Sequence, residues 1–290
     1  MAPDTALTLI GVPSSMGAFA PGQEKAPSAL RDAGLVGLLQ DGGVAVDDRG
    51  DSAVRRFRVD PERPLAMNLP AVVEVVRETA DRVRVADGRV LVLGGDCTVG
   101  LGTVAGQPEG VGLVYFDMHA DLNVPGVTPV AAPDWMGIAH LLRRDGAQPE
   151  LVAALPEFDA SRLALFGYRP DQLTQHELDE VERLDLQRVT NDEVAADPEG
   201  TAARVLQLAD RLVVHFDVDV IDYTDAPLSE ARDRNIGLTF DTAMQALAVL
   251  MRSERVAALT ITELNPDHGE EDGSTLRRFA AGIAAALRTV

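Results

Sequence analysis

VYFDMHADLN, residues 114–123, drives an apolar run into Asp117, His119 and Asp121, which alternate with Met118 and Ala120. In an extended strand, residues two apart share a face. A strand that persists through this stretch therefore aims two carboxylates and an imidazole one way. Carboxylates in a core need a cation, a hydrogen-bond network or a proton. A second stretch, VVHFDVDVID at 213–222, repeats the arrangement with Asp217 and Asp219. Two apolar strands that each end in alternating carboxylates point to a shared site for more than one metal ion.

The chain around these stretches is acidic. Its formal net charge is −20 over 290 residues, and Lys25 is the only lysine. The length suits one large domain or two small ones, and the apolar content supplies a core. No basic arm or basic amphipathic helix suggests nucleic acid or a membrane surface as partner. The acidity favours solubility and can attract a cationic substrate; a generally acidic proteome accounts for it equally well. The N-terminus lacks a charged segment followed by a long apolar core, so no signal peptide is expected. No apolar run is long enough to span a bilayer. Cys97 is the only cysteine, which excludes an internal disulfide and makes the cytoplasm the expected compartment.

Strands are expected at 7–12, 44–46, 89–93, 112–117, 162–167, 212–217 and 256–264. Helices are expected at 28–40, 69–85, 98–105, 134–143, 175–184, 198–208, 241–251 and 274–287. Residues 13–27 and 168–174 form loops, and 47–63 a surface excursion. Strand and helix alternate, and the central strands are almost wholly apolar. That pattern defines an α/β fold whose parallel sheet is covered by helices on both faces. Ligand sites in such sheets lie beyond the carboxyl ends of the strands. Cys97, Asp117, His119, Asp121, Asp217, Asp219 and Glu263 all fall there. With no internal repeat or linker, a single domain over 1–290 is expected.

Several blocks together resemble the ureohydrolase family of arginases and agmatinases. LGGDC at 93–97, FDMHADLN at 116–123, HFDVDVID at 215–222 and ITELNP at 261–266 are similar to its motif blocks, in order. The opening from 11 to 35 and GLTF at 237–240 also fit. The resemblance implies a three-layer αβα sandwich around a mostly parallel sheet, and two manganese ions sharing a water or hydroxide. One ion would be held by Cys97, Asp117, Asp121 and Asp217, the other by Asp117, His119, Asp217 and Asp219. Asp121 would also orient the hydroxide. Glu263 would contact a guanidinium group, and Asn123 the outer end of the substrate. Hydroxide attack on the guanidinium carbon would release urea and an amine, two ions about 3.5–4 Å apart activating the water. The resemblance also implies a trimer or hexamer.

Two departures bear on the substrate. Cys97 stands where the family usually has histidine. As a thiolate ligand it shifts metal preference towards zinc, iron, cobalt or nickel; as a small core thiol it leaves a weakened position. The need of the neighbouring acids for a cation favours the ligand. A branch of the family acting on N-hydroxyarginine is similar at this position. Second, Asp134 aligns with the histidine usually assigned to proton transfer. It is a substitute acid, a substrate contact or a helix N-cap, and capping is the favoured reading. Losing a general acid costs about 10²–10⁴ in rate. The rival readings are a non-catalytic or regulatory metal-binding relative and a metal-dependent amide hydrolase.

Other residues carry less. His140, His176, His215 and His268 read as structural or surface groups, with an outer contact to the metal site open to His215. Gly94 and Gly95 lack the Lys-Ser/Thr of a phosphate loop. Asp171 reads as part of a surface turn, and Ser14 and Ser15 have no nucleophile-elbow context. Trp135 lines the pocket or packs in the core. The loops 13–27, 124–134 and 168–174 are expected to choose the substrate.

Overall fold

The computed structural model describes residues 6–128 and 132–288. Pro129, Val130 and Ala131 of the expected substrate loop lie outside the described residues, as do residues 1–5 of the N-terminus.

The first half of the chain runs β1 (Ala6–Gly11), α1 (Ala26–Asp32), α2 (Leu35–Asp41), β2 (Ala45–Asp51), α3 (Leu69–Arg84), β3 (Arg89–Leu93), α4 (Thr98–Ala105), β4 (Gly112–Phe116), α5 (Gly137–Leu141) and α6 (Pro149–Val152). The second half runs β5 (Leu163–Tyr168), α7 (Gln175–Arg183), β6 (Gln187–Thr190), α8 (Asn191–Ala196), α9 (Pro198–Val205), β7 (Leu212–Asp217), α10 (Phe240–Arg252), β8 (Val256–Thr262) and α11 (Ser274–Ala286). The strands form one sheet in the order β2-β1-β3-β8-β7-β4-β5-β6, and every pair is parallel.

Alternate residues of each central strand feed opposite cores, which is why these strands are apolar throughout. On β4, Leu113 and Tyr115 join the layer of α3 to α7, while Val114 and Phe116 join that of α1, α2 and α8 to α11. Phe116 pairs in register with Phe166 on one side and Phe216 on the other, with ring centroids 4.7 and 5.1 Å away, both edge-on. This row of rings underlies the carboxyl ends of the central strands on one face.

Several elements differ from the sequence reading. The helix expected at 28–40 is two helices, because Gly34 takes a left-handed φ of 89° between them. The strand expected at 44–46 runs on to Asp51; it pairs only with β1, so its outward polar residues cost nothing. The helix expected at 134–143 begins as a 3-10 turn, Pro133–Met136. β6, α8 and α6 escaped notice: β6 has four residues and buries only Val189.

The segment 222–237 is pinned by one carboxylate. Asp222 accepts from Thr224 N at 2.8 Å, Ile236 N at 2.7 Å, Gly237 N at 3.0 Å and the Thr224 hydroxyl. The same segment reaches the end of β8, where Glu230 N donates to the Glu263 carbonyl at 3.2 Å. Replacing Asp222 with Ala strips the partner from several partly buried donors and is expected to cost about 1–2 kcal/mol. Urea unfolding measures this, and an unchanged midpoint would show that the segment holds without the carboxylate.

Candidate metal centre and acid pocket

Four neighbouring strands deliver the site at their carboxyl ends: β3 leads to Cys97, β8 to Glu263, β7 ends on Asp217 and β4 hands over to Asp117. Because β4 stops at Phe116, strand alternation does not gather Asp117, His119 and Asp121; a loop does. Asp117 Oδ1 accepts from His119 N at 2.6 Å. Asp121 turns the chain with a φ of 47°, and its carbonyl accepts from Ile138 N and Ala139 N, each at 3.1 Å. Glu263 follows β8 directly, with a φ of 61°. Such backbone costs about 1–3 kcal/mol in a non-glycine residue and collects at functional sites. Asp219 lies in the 3-10 turn Val218–Val220 and joins the two acid loops, accepting from Met118 N at 3.3 Å and donating its own N–H to Asp217 Oδ1 at 2.7 Å.

The glycines of LGGDC serve close approach. A Cβ on Gly95 would strike the Ser14 carbonyl oxygen. Beside it Asp96, fully buried, accepts from Gly17 N at 3.0 Å, Thr98 N at 3.1 Å and the Ser14 hydroxyl at 3.3 Å. The loop 13–27 is thereby drawn against the site.

Donor atoms collect in three groups, each spanning no more than 4.8 Å: Cys97, Asp117, His215 and Asp217; Asp117, His119 and Asp219; Cys97, Asp134 and Glu263. Asp117 belongs to the first two, and its Oδ2 is buried without a partner. Cys97 Sγ lies 2.9 Å from Asp217 Oδ2, and His119 Nδ1 lies 2.9 Å from Asp219 Oδ2. Among the described residues, Asp121 enters none of these groups; its Oδ2 accepts from the Tyr115 hydroxyl. Asn123 is buried, and its Oδ1 accepts from Thr174 Oγ1 at 2.8 Å. Asp134 does not cap its own helix. Its Oδ1 accepts from Cys97 N at 2.6 Å, at the start of α4, and its carboxyl faces that of Glu263, whose Oε1 is buried without a partner.

Burial sets the electrostatics. It raises the Asp117 carboxyl to about 6, with Asp219 adding to the effect. Asp217 is held well above the usual range by burial and then by Asp219, and Asp121 by burial and then by Asp117. Burial likewise raises Asp134 and Glu263, each then pushed further by a neighbouring acid. Burial and Asp217 push the Cys97 thiol up. Burial alone would lower His119, but Asp219 and Asp117 outweigh it and raise it well above its ordinary value. This many acids around an unpartnered carboxylate oxygen lack positive charge, and carboxylates with imidazole and sulfur suit divalent ions.

Four residues of the site were missed or left outside it in the sequence: Tyr115, Thr262, His215 and Gln23. Gln23 is fully buried and donates from Nε2 to Glu263 Oε2 at 3.2 Å. Tyr115 and His215 each precede a key aspartate by two residues, a signal readable from strand parity. Nothing local marks Gln23, which meets Glu263 across 240 residues of chain. Asp171 is exposed and paired with Arg169, as a surface turn requires. His140 is buried against the Met136 carbonyl at 2.6 Å.

A sequence profile described as the Arginase family matches residues 5–288. The chain belongs to the arginase family. It is 27% identical to the arginase of Bacillus subtilis (strain 168) over 297 residues, covering 94% of this chain and 95% of that one. The crystal structure of arginase from Bacillus subtilis superimposes with a TM-score of 0.85 at 23% identity, over 98% of this chain and 99% of the other. The formimidoylglutamase of Bacillus subtilis has the same fold, with a TM-score of 0.75 at 20% identity over 98% and 86%. With arginase-family membership goes the reaction class, hydrolysis of C–N bonds other than peptide bonds, in linear amidines. Among the described residues no helix is long and apolar enough to cross a membrane.

Proposed function

We propose that this arginase-family protein is a binuclear-metal hydrolase that cleaves a linear C–N bond of a guanidino or amidino compound and releases urea or a urea analogue. The observation that carries the reading is the pair of donor groups sharing Asp117, beside the Asp134–Glu263 acid pair. Cys97, Asp117 and Asp217 would hold one ion, and Asp117, His119 and Asp219 the other. Manganese is the family's metal, and Cys97 opens the site to zinc, cobalt, nickel or iron. Two such ions lower the pKa of a water and stabilise charge that develops during attack.

The chain's own residues do the rest. Asp134 and Glu263 lie in one donor group and burial raises both carboxyls, so in the absence of substrate the pair favours holding a proton. A guanidinium can replace that proton with a full charge and several N–H donors. Glu263, braced by Gln23, and Asp134 then fix its plane. Asp134, held by Cys97 N, would take up the proton that the attacking water gives up and pass it to the leaving amine, in place of the family's histidine. Asp121, oriented by Tyr115, faces the attacking water, and Asn123 meets the outer end of the substrate. Arginine, N-hydroxyarginine, agmatine, guanidino acids and formimino compounds are the candidates. A cytoplasmic trimer or hexamer belongs to the same reading.

The test is release of urea and hydroxyurea from this panel by protein loaded separately with manganese, zinc, cobalt or nickel. Release from one compound, lost in Asp217→Asn, is the expected result. No release from folded protein carrying two ions would remove the reading.

A further inference from the structure

His215 has no role in the reaction as drawn above. It precedes Asp217 by two residues and shares its strand face. Its ring is buried and stacks on Tyr115, with centroids 4.3 Å apart and planes 14° from parallel, because the register places the two side by side. Nε2 lies 3.1 Å from Thr262 Oγ1, which lies 3.5 Å from Cys97 Sγ. Nδ1 is buried without a partner. Gly100, inside α4, makes room for the ring: a Cβ there would strike Nδ1. A seat has been cleared for an imidazole that no carboxylate or carbonyl holds among the described residues.

We propose that His215 is a metal ligand, completing with Cys97, Asp117 and Asp217 one of the two ion positions on whose existence this inference rests. The donor atoms of these four already lie within 4.8 Å of one another. Around a tetrahedral ion with bonds near 2.0–2.3 Å, donors stand about 3.3–3.8 Å apart, so the group closes by a small inward movement. Asp121, the fourth ligand that family resemblance supplies at this position, is instead tied to Tyr115. The imidazole missing at position 97 is thus returned from β7, two strands away across the sheet. On binding, the Thr262 hydroxyl releases Nε2, the Cys97 thiol loses its proton to solvent, and the sulfur–metal bond forms. An imidazole and a thiolate beside two carboxylates favour zinc or cobalt over manganese at this position.

The full chain, stripped with a chelator and titrated with Co²⁺ and Zn²⁺ against a chromophoric competitor, gives the test. His215→Phe puts an aromatic ring of somewhat larger size in the stack and removes both nitrogens. Thr262→Val removes only the hydroxyl between His215 and Cys97. Loss of an outer contact costs about 10–100-fold in affinity. His215→Phe is expected to weaken one of two positions by more than this and to alter the cobalt d–d bands, while Thr262→Val stays within it. Unchanged binding in His215→Phe, or an equal loss in Thr262→Val, overturns the ligand role. X-ray absorption of the two-zinc wild type needs no variant: two imidazoles and one sulfur per zinc pair support the role, and a single imidazole overturns it. Wild type that binds no divalent ion overturns the proposed function too, whereas two ions bound equally by wild type and His215→Phe overturn this inference alone.

Discussion

Asp117→Asn is expected to empty both ion positions together and to lower activity by more than about 100-fold. Asp117 is the residue common to the two adjoining donor groups, and one of its oxygens is buried without a partner. An amide keeps the shape but removes the charge and turns one acceptor into a donor. Loss of an outer partner already costs about 10–100-fold in metal affinity or activity, so loss of a shared ligand exceeds that range. The backbone is not at risk: Asp117 N donates to the Phe166 carbonyl at 3.1 Å whatever the side chain. Metal content by mass spectrometry and turnover on the same sample make the check. Two retained ions with full turnover would remove Asp117 from the centre of the site.

How much of this could be read beforehand differs between scaffold and site. The central strands were legible because both their faces are covered, so Val213, Val214 and Phe216, or Leu91 and Val92, leave no polar alternation to misread. The edges were not. β2 carries Asp47, Asp48 and Arg49 because it pairs on one side only, and β6 offers one buried residue in four. Gly34 ended a helix whose apolar spacing continues through it.

In the site, the acids were legible by type: carboxylates clustered after apolar strands have few cheap explanations. Their geometry was not. Asp117, His119 and Asp121 leave a strand that has already ended, and Asp121 takes a backbone conformation that its residue type does not announce. The supporting contacts run between distant segments: Asp134 with Cys97, Gln23 with Glu263, Thr262 with His215. Those pairings are set by the sheet order, which places β8 and β7 between β3 and β4. Local pattern does not encode that order.

The same buried acids give the second large effect. Chelator-stripped protein should lose stability as pH rises from about 4 to about 6. Asp117 titrates near 6 in the folded chain, raised by burial and by Asp219, against about 3.9 for an unfolded aspartate. Between these values the folded state holds the proton and the unfolded state does not. The stability this contributes is therefore full below about 4, falls through the window and is gone above it. A gap of about two pKa units is worth about 3 kcal/mol. Asp121, Asp217 and Glu263 are also raised, so their losses have the same sign and extend to higher pH. Asp48 and Asp222 act the other way. Burial opposes their ionised forms, but hydrogen bonds hold both below the ordinary range, Arg31 supplying the largest contribution at Asp48. The stability they contribute is present above about 4 and lost as pH falls through their depressed values, so the two windows separate. Divalent ions reverse the first trend. Ligands must shed protons to bind, so metal stabilisation grows with pH, reaching about 2.7 kcal/mol per site at a hundred times the dissociation constant. Thermal unfolding from pH 4 to pH 7.5, with chelator and with excess zinc or manganese, should give curves that diverge upward in pH. Stripped protein that instead gains stability between pH 4 and 6 would mean that these acids already have their positive partners within the chain.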